Sequence, residues 1–484
     1  MTLTSDVPAP TAPTPGRTAS HPTAVLLVLS LSTFAIVVMQ SMVMPSLANI
    51  SAALDVTTVQ GSWLITANLL AAAVFTPLFG SLGDALGRKR ILLVVLALTT
   101  LGSVVVATAG GLGVALVGRV LQGTGMAAMP LAIGVIRSVF PAEKVPSSVA
   151  LLSALTGVGA GAGLLFSGLL LKAGMSGQGM FWLAALVTAG GFVGAATLIH
   201  LAEHQRTDFH LDVAGLLTLS GGLVCLVLGI NRGPEWGWTS GSVLGLFAGS
   251  VVLLAAWLFS AGRAKQPLVD ITMMRHPVVL VSNLTAFILG AGMFSAFVLV
   301  IQWVQTPGAV GYGFGTDALG AGLTLLPLTL GTLVAAAAVS ALIKRVGPKW
   351  PLVLGAAVAT LTYVFMLVWH TEHWHFYVAA GLMGLGLGLS MGAIPTLLNN
   401  SVAPEQTSIV NGVNATLRSI GGSIGTTVAS AILAAHAMET LPLPTENGYL
   451  VAFAVSGGIC ALAVVAALLL PYRHQRTAPE GILA

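Results

Sequence analysis

The sequence predicts an all-α protein that crosses a membrane fourteen times. Three observations carry this expectation. Hydrophobic residues fill 56 % of the 484 positions and charged ones 7 %, with a mean hydropathy of +0.95; a soluble chain is about a quarter charged. Apolar segments of about 20 residues, the length that spans a bilayer core of about 30 Å, recur along the whole chain. Basic residues fall almost wholly between alternate segments, as the cytoplasmic excess of Lys and Arg requires. The 58 glycines show no period of three and suit close contact between lipid-embedded helices. Cys225 and Cys460 lie in apolar runs and read as small fillers, not as a disulfide or metal pair. The net charge of +4 comes from loop residues and is no sign of nucleic-acid binding.

Taken in order, residues 1–22 are rich in Pro, Thr and Ala and read as a disordered cytoplasmic tail. The run that follows is too long for a signal-peptide core and lacks a cleavage site, so it stays as the first span. Spans are expected near 24–46, 60–82, 90–109, 112–136, 147–171, 179–200 and 212–231. They continue near 242–261, 279–303, 317–341, 352–370, 375–398, 406–435 and 449–471, before a cytoplasmic tail at 472–484. With the N-terminus inside, fifteen of the 19 basic residues are cytoplasmic. Only Lys172 and Arg232 fall in external loops, while Arg119 and Arg418 fall inside spans. A wrong span count would scramble that skew.

The densest charge is in GSLGDALGRKR (residues 80–90), where Asp84, Arg88, Lys89 and Arg90 join two apolar runs through Gly80 and Gly87. It reads as a cytoplasmic hairpin turn. An echo lies 260 residues on, in RVGPKWPLV (345–353): Gly87 matches Gly347, Lys89 matches Lys349, and Lys344 stands for Asp84. The echo pairs spans 2–3 with spans 10–11. It predicts an N-terminal six-helix bundle over 23–200, two inserted helices over 201–262, a cytoplasmic loop over 263–278 and a C-terminal six-helix bundle over 279–471.

Inside the spans, polar groups are few and therefore informative. Arg119 and Gln122 share a face of span 4, in a run with no other charge. Asn411, Asn414 and Arg418 follow at i, i+3 and i+7 of span 13. Each set is open to two interpretations, lining of a central pathway or bonding between helices. Span 5 carries GAGAGLLFSG (159–168), whose Gly159, Gly163 and Gly168 permit close helix approach.

These segments resemble signature motifs of the major facilitator superfamily, in its fourteen-span drug:proton antiporter branch. The likeness rests on Gly80, Asp84, Gly87, Arg88, Lys89 and Arg90, on LVGRVLQGTG (116–125), and on the span 5 glycines. Trp63 with Thr66, Asp212 with Gly215, and Gly322 with Pro327 add to it. The resemblance implies two six-helix bundles around a midplane pathway, and a conformational switch at Asp84, Arg88 and Arg90. It also implies proton coupling through Arg119, a bacterial inner membrane and cytoplasmic termini. Residues expected at proton coupling and the cavity are Arg119, Gln122, Asp212 and Arg418. Those expected around substrate are Gln40, Trp63, Asn68, Asn283, Phe294, Asn411 and Asn414, with Trp303 either stacking on substrate or anchoring the interface. The chain departs from the family in two places. Leu164 and Ser167 replace a proline and a glycine in span 5, and Ile36 stands where exporters of cationic drugs carry an acid.

No Asp, Glu or His falls in the middle of an expected span. A lipophilic cation in a low-dielectric cavity needs a fixed anion, so the expected substrate is a neutral or anionic amphipathic compound. Proton influx is the expected driving force, with its carrier left open among Asp84, Asp212 and Asp317. The alternative is a specific metabolite transporter of the same fold without proton coupling. H-E-x-x-H and G-x-x-x-x-G-K-[ST] are absent, and neither an enzyme nor an ATP-driven pump is expected. His370, His373 and His375 have metal-like spacing, but with one acidic neighbour they are not expected to hold a metal. No cofactor is expected, and the partners are a small molecule, protons and lipid, around a monomer.

Overall fold

The computed structural model describes residues 22–200, 212–264, 267, 269–438 and 443–471. The expected tails, apart from Pro22, and the basic residues Arg17, Arg206, Lys265, Arg473 and Arg476 lie outside this set. The described chain is all-helical. Its first half contains α1 Pro22–Ala53, α2 Trp63–Leu86, α3 Arg88–Ala107, α4 Leu112–Val139, α5 Val145–Lys172 and α6 Gly179–Leu198. Then come α7 Val213–Trp236 and α8 Gly241–Ala261. The second half contains α9 Pro277–Gln305, α10 Leu319–Val346, α11 Lys349–Val368, α12 His373–Asn399, α13 Thr407–Ala435 and α14 Glu446–Leu468.

Twelve of these are long and apolar enough to cross a membrane. The other two, α5 and α13, have 28 and 29 residues, and α13 carries Asn411, Asn414 and Arg418, which lower its hydropathy. Apolar length thus accounts for twelve spans, and the expected fourteen turn on α5 and α13.

Local chemistry sets the breaks. Gly87 and Gly347 end α2 and α10 at φ of 110° and 80°, a region where a side chain is strained. Each donates its N–H back into the helix, to Gly83 and Ile343. α4 is not one smooth helix: it tightens to a 3-10 turn over Thr124–Ala127, between Gly123 and Pro130. Asp212, Ser240, Asp317 and Thr445 each cap a helix by accepting a backbone N–H from Gly215, Val243, Gly320 and Gly448.

Two like bundles result. In the first, α1 packs on α5 and α6, α2 on α4, and α3 on α4 and α6. The second repeats this with α9 on α13 and α14, α10 on α12, and α11 on α12 and α14. The sequence echo has a structural counterpart: Lys89 Nζ donates to the Ala196 carbonyl near the end of α6 (3.1 Å). Lys349 Nζ likewise donates to Leu468 and Leu470 at the end of α14 (2.7 and 2.8 Å). Small residues bring the helices close. A Cβ on Gly384 would strike the Leu328 backbone, and one on Gly425 the Ala291 carbonyl.

The bundles meet along two seams, α2 with α13 and α5 with α10 and α12. α7 lies over the first seam, packed on both α2 and α13, and carries α8 on its outside. Arg232, expected in a loop, is instead buried within α7 at 2 % exposure, because the helix runs on through Trp236. Its guanidinium donates to Ser62 and Thr66 of the first half (both 3.2 Å), pairs with Glu235 at 2.6 Å and lies 3.8 Å over the Trp63 ring. The adjacent Asn231 donates to Ser423 on α13 (3.0 Å).

Candidate functional site

Where α2 meets α13, beneath α7, lies a small cavity. α1 contributes Gln40, α2 Asn68 and Thr76, and α13 Thr416, Ser419 and Ser423. Leu69, Met126, Val227 and Ile420 supply apolar wall. Val227 belongs to α7, so the inserted pair reaches the cavity itself. The mostly apolar lining with a few polar groups suits an amphipathic small molecule. None of the lining residues carries a formal charge.

Beyond one end of the cavity, contacts gather around Asp84. Arg88 donates to one carboxylate oxygen from Nε (3.0 Å) and Nη2 (2.9 Å), within a single turn. The other oxygen accepts the Ile409 N–H across the seam at 2.9 Å, in the first turn of α13. A carboxylate at a helix N-terminus is favoured by both the free N–H groups and the helix dipole. Arg88 also donates to the Gly134 carbonyl and to Ser138 (3.1 and 2.9 Å). Arg137 donates to Thr407 at 2.6 Å. Gly80 permits this approach: a Cβ there would lie 3.1 Å from the Ser408 carbonyl oxygen. Arg90 is exposed at the same end. At the opposite end, Lys172 on α5 faces Asp317 at 3.4 Å, both well exposed. The Gly320 N–H, aided by Lys172, holds the Asp317 carboxyl below its usual range.

Arg119 and Arg418, expected at the cavity, are not among its lining residues. Arg119, 2 % exposed, donates from Nε to the Leu64 carbonyl (3.0 Å) and from Nη1 to Gln122 (2.7 Å). Gln122 passes the chain on to Ser103 at 2.9 Å. This network joins α2, α3 and α4 inside the first bundle. Arg418 reaches the Met391 sulfur on α12 (2.7 Å).

The asparagines of α13 pair with neighbouring helices: Asn411 donates to Asn399 (2.7 Å) and Asn414 to Asn283 (2.9 Å). Of the residues expected around substrate, Gln40 and Asn68 line the cavity. Trp63 instead lies under Arg232, and Phe294 packs near Phe297 and Gly422 while remaining 41 % exposed. Trp303 is 1 % exposed, enclosed by Tyr312, His370, Phe376, Tyr449 and Phe453 within the second bundle. Asp212 caps α7, through the Gly215 N–H at 2.7 Å.

In α5, Gly159 and Gly163 press against α1 at Phe34 and Ser41, while Gly168 faces Leu319. The three histidines diverge: His370 meets Glu446, His373 meets Thr324, and His375 closes the cap of α12. Sequence reasoning missed Arg232, Ser419 and Ser423. The signal for the last two was their place, with Thr416, along one face of α13.

The profile of the Major Facilitator Superfamily matches residues 29–426. The tetracenomycin C resistance and export protein of Streptomyces glaucescens is 28 % identical over 432 residues, covering 87 % of this chain and 78 % of that protein. The multidrug transporter protein MdtP of Bacillus subtilis is 25 % identical over 389 residues, 78 % of this chain and 70 % of the relative. The human organic anion transporter MFSD10 superposes with a TM-score of 0.65 over 92 % of this chain and 99 % of its own. At 14 % identity, that likeness concerns the fold alone. With the profile running through both bundles and the same double-bundle backbone in a solved transporter, the chain belongs to the major facilitator superfamily.

Proposed function

We propose that the protein is a secondary exporter of small amphipathic drug-like compounds, working by alternating access in a bacterial inner membrane. The observation that carries this is the amphipathic cavity between two like bundles, with contacts that cross the seam on one side of it. A binding site at the interface of two rocking repeats is how such transporters work. The named functions of the relatives, antibiotic export and multidrug transport, point the same way. On this reading the Asp84 end is cytoplasmic, both termini are inside, and α5 and α13 complete fourteen spans. The protein acts as a monomer, and the state described is closed to the cytoplasm.

Proton influx drives export in this proposal, yet no carboxylate lines the cavity. Coupling must then run through groups outside it, and Asp84, placed on the contact that seals one state, is the group best sited to link protonation to access. Susceptible cells expressing the protein should accumulate less of a neutral fluorescent drug than cells carrying Asp84→Asn. Dissipating the proton gradient should erase the difference. Equal accumulation in both strains, at matched expression, refutes the role of Asp84, and accumulation as high as in cells without the protein refutes the export reading.

A further inference from the structure

Composition leaves neutral and anionic substrates open, and one intramembrane cation favours the anion, given the export reading of the site. The other two arginines within spans are answered by oxygen. Arg119 donates to the Leu64 carbonyl and to Gln122, and Arg232 donates to Glu235, Ser62 and Thr66. Among the described residues, Arg418 donates only to the Met391 thioether, from Nη1 at 2.7 Å, and makes no ion pair. Sulfur is a weak acceptor, and a guanidinium carries five N–H donors.

The unused donors are not walled in. Nε of Arg232 is enclosed without a partner, whereas no nitrogen of Arg418 is, and Arg418 stays partly exposed. Its free N–H groups therefore open onto accessible space. Helix geometry places that space beside the cavity: Arg418 follows Ala415 by three positions and precedes Ser419 by one, and both of those line it. The Arg418 stem crosses α9 at Gly290, where a Cβ would lie 3.2 Å from its Cγ, and the head reaches α12 at Met391.

The adjoining cavity holds no negative charge. It also has donors to spare: the hydroxyls of Thr76 and Ser423, the second amide N–H of Asn68 and the Gln40 amide nitrogen find no acceptor among the described residues. An arginine keeps its proton when buried, and within a span it is costly until acceptors or an anion answer it. The protein supplies neither at Arg418.

We propose that Arg418 binds the head group of amphipathic organic acids, and that these are the preferred substrates. The carboxylate takes two guanidinium N–H groups in parallel, for which the pair is matched. The apolar body follows α13 past Ala415 and Ser419 into the cavity. Neutral analogues lose the charge-assisted bonds, and lipophilic cations meet like charge.

The test uses the full-length protein in detergent and low-chloride buffer, with two probes of one skeleton, an anthraquinone carboxylate and its carboxamide. Affinities are read from quenching of protein tryptophan. The carboxylate should bind about tenfold more tightly, the margin of a charge-assisted over a neutral hydrogen bond. In Arg418→Gln the ratio should fall to one or below, with carboxamide affinity little changed, while Arg418→Lys should keep part of the preference. Arg418→Gln removes a side chain held only by a thioether, so its melting temperature without ligand should match or exceed that of wild type. The carboxylate probe should raise the melting temperature of wild type and not of this variant.

No carboxylate binding, equal affinity for the two probes in wild type, or a preference that survives in Arg418→Gln would each overturn the proposal. Stabilisation by sodium chloride alone equal to that by the carboxylate probe would also overturn it, by assigning the site to an inorganic anion. Proteoliposome transport separates it from the export reading. Arg418-dependent carboxylate binding without transport of either probe supports the site and refutes export. Transport of both probes at rates that Arg418→Gln leaves unchanged refutes the site and leaves export intact.

Discussion

Asp84→Asn tests which contact holds the present access state. Two of the carboxylate's three hydrogen bonds, both from Arg88, lie within one bundle and move with it. They drop out of any comparison between two positions of the bundles. The bond from the Ile409 N–H crosses the seam, so parting of the bundles there would break it. Asparagine can still accept that bond, but as a neutral partner worth about 1 kcal/mol rather than the 1.5–3 kcal/mol of a charged one. It also loses its attraction to the N-terminus of α13, about 0.3–1 kcal/mol. Screening changes this little, since the Asp84 side chain is 7 % exposed. The net shift is about 1–2 kcal/mol, or roughly 5- to 30-fold in the access equilibrium. A cysteine placed in the cavity by Ser419→Cys, in a Cys225→Ala background, reports it. Labelling by an impermeant maleimide in everted vesicles should accelerate by about that factor. An unchanged or slower rate would mean that the Ile409 contact does not govern access.

Three further outcomes follow from contacts described above. Gln122→Leu removes the Arg119 partner at 2.7 Å and leaves a fully buried guanidinium under-bonded. It should destabilise the detergent-solubilised protein by about 1–3 kcal/mol, and an unaltered melting temperature would refute the assignment. Gly384→Ala forces a methyl group onto the Leu328 backbone, a clash of about 1–3 kcal/mol that should lower the same melting temperature. Asp317 has a depressed carboxyl, so its contribution to the α10 cap is present above the ordinary carboxylate range and is lost as pH falls through its lowered value. Hydrogen exchange at the start of α10 should therefore separate Asp317→Asn from wild type at neutral pH and not in strong acid; equal exchange at neutral pH would count against the cap.

Sequence pattern reached the helices and the repeat because both are written in local terms. Apolar length marks each rod, and Gly87 with Lys89 recurs as Gly347 with Lys349 in the same structural role. What it did not reach depends on which way a helix faces. α4 is apolar on most sides, so spacing places Arg119 beside Gln122 but does not say whether the pair turns to the cavity or to α2 and α3. Packing decides that, through the Leu64 carbonyl 55 residues away. Arg232 was misplaced for a related reason. A charge followed by Gly233 and Pro234 has the local look of a helix end, yet Ser62, Thr66 and Trp63 supply partners that let the helix continue. The cavity oxygens of α13 were overlooked because serine and threonine bonded to their own helix leave no pattern in hydropathy.

The neighbouring residues Asn231 and Arg232 hold α7 to opposite halves of the molecule. A body strapped along one edge does not open like a pair of free jaws. Its hinge line runs beside the strap, and the widest excursion falls on the far edge, where α5 meets α10. The inserted helices would then give direction to a motion that twofold repetition alone leaves even-handed, and the speed of each cycle would depend on how readily one of those two attachments lets go.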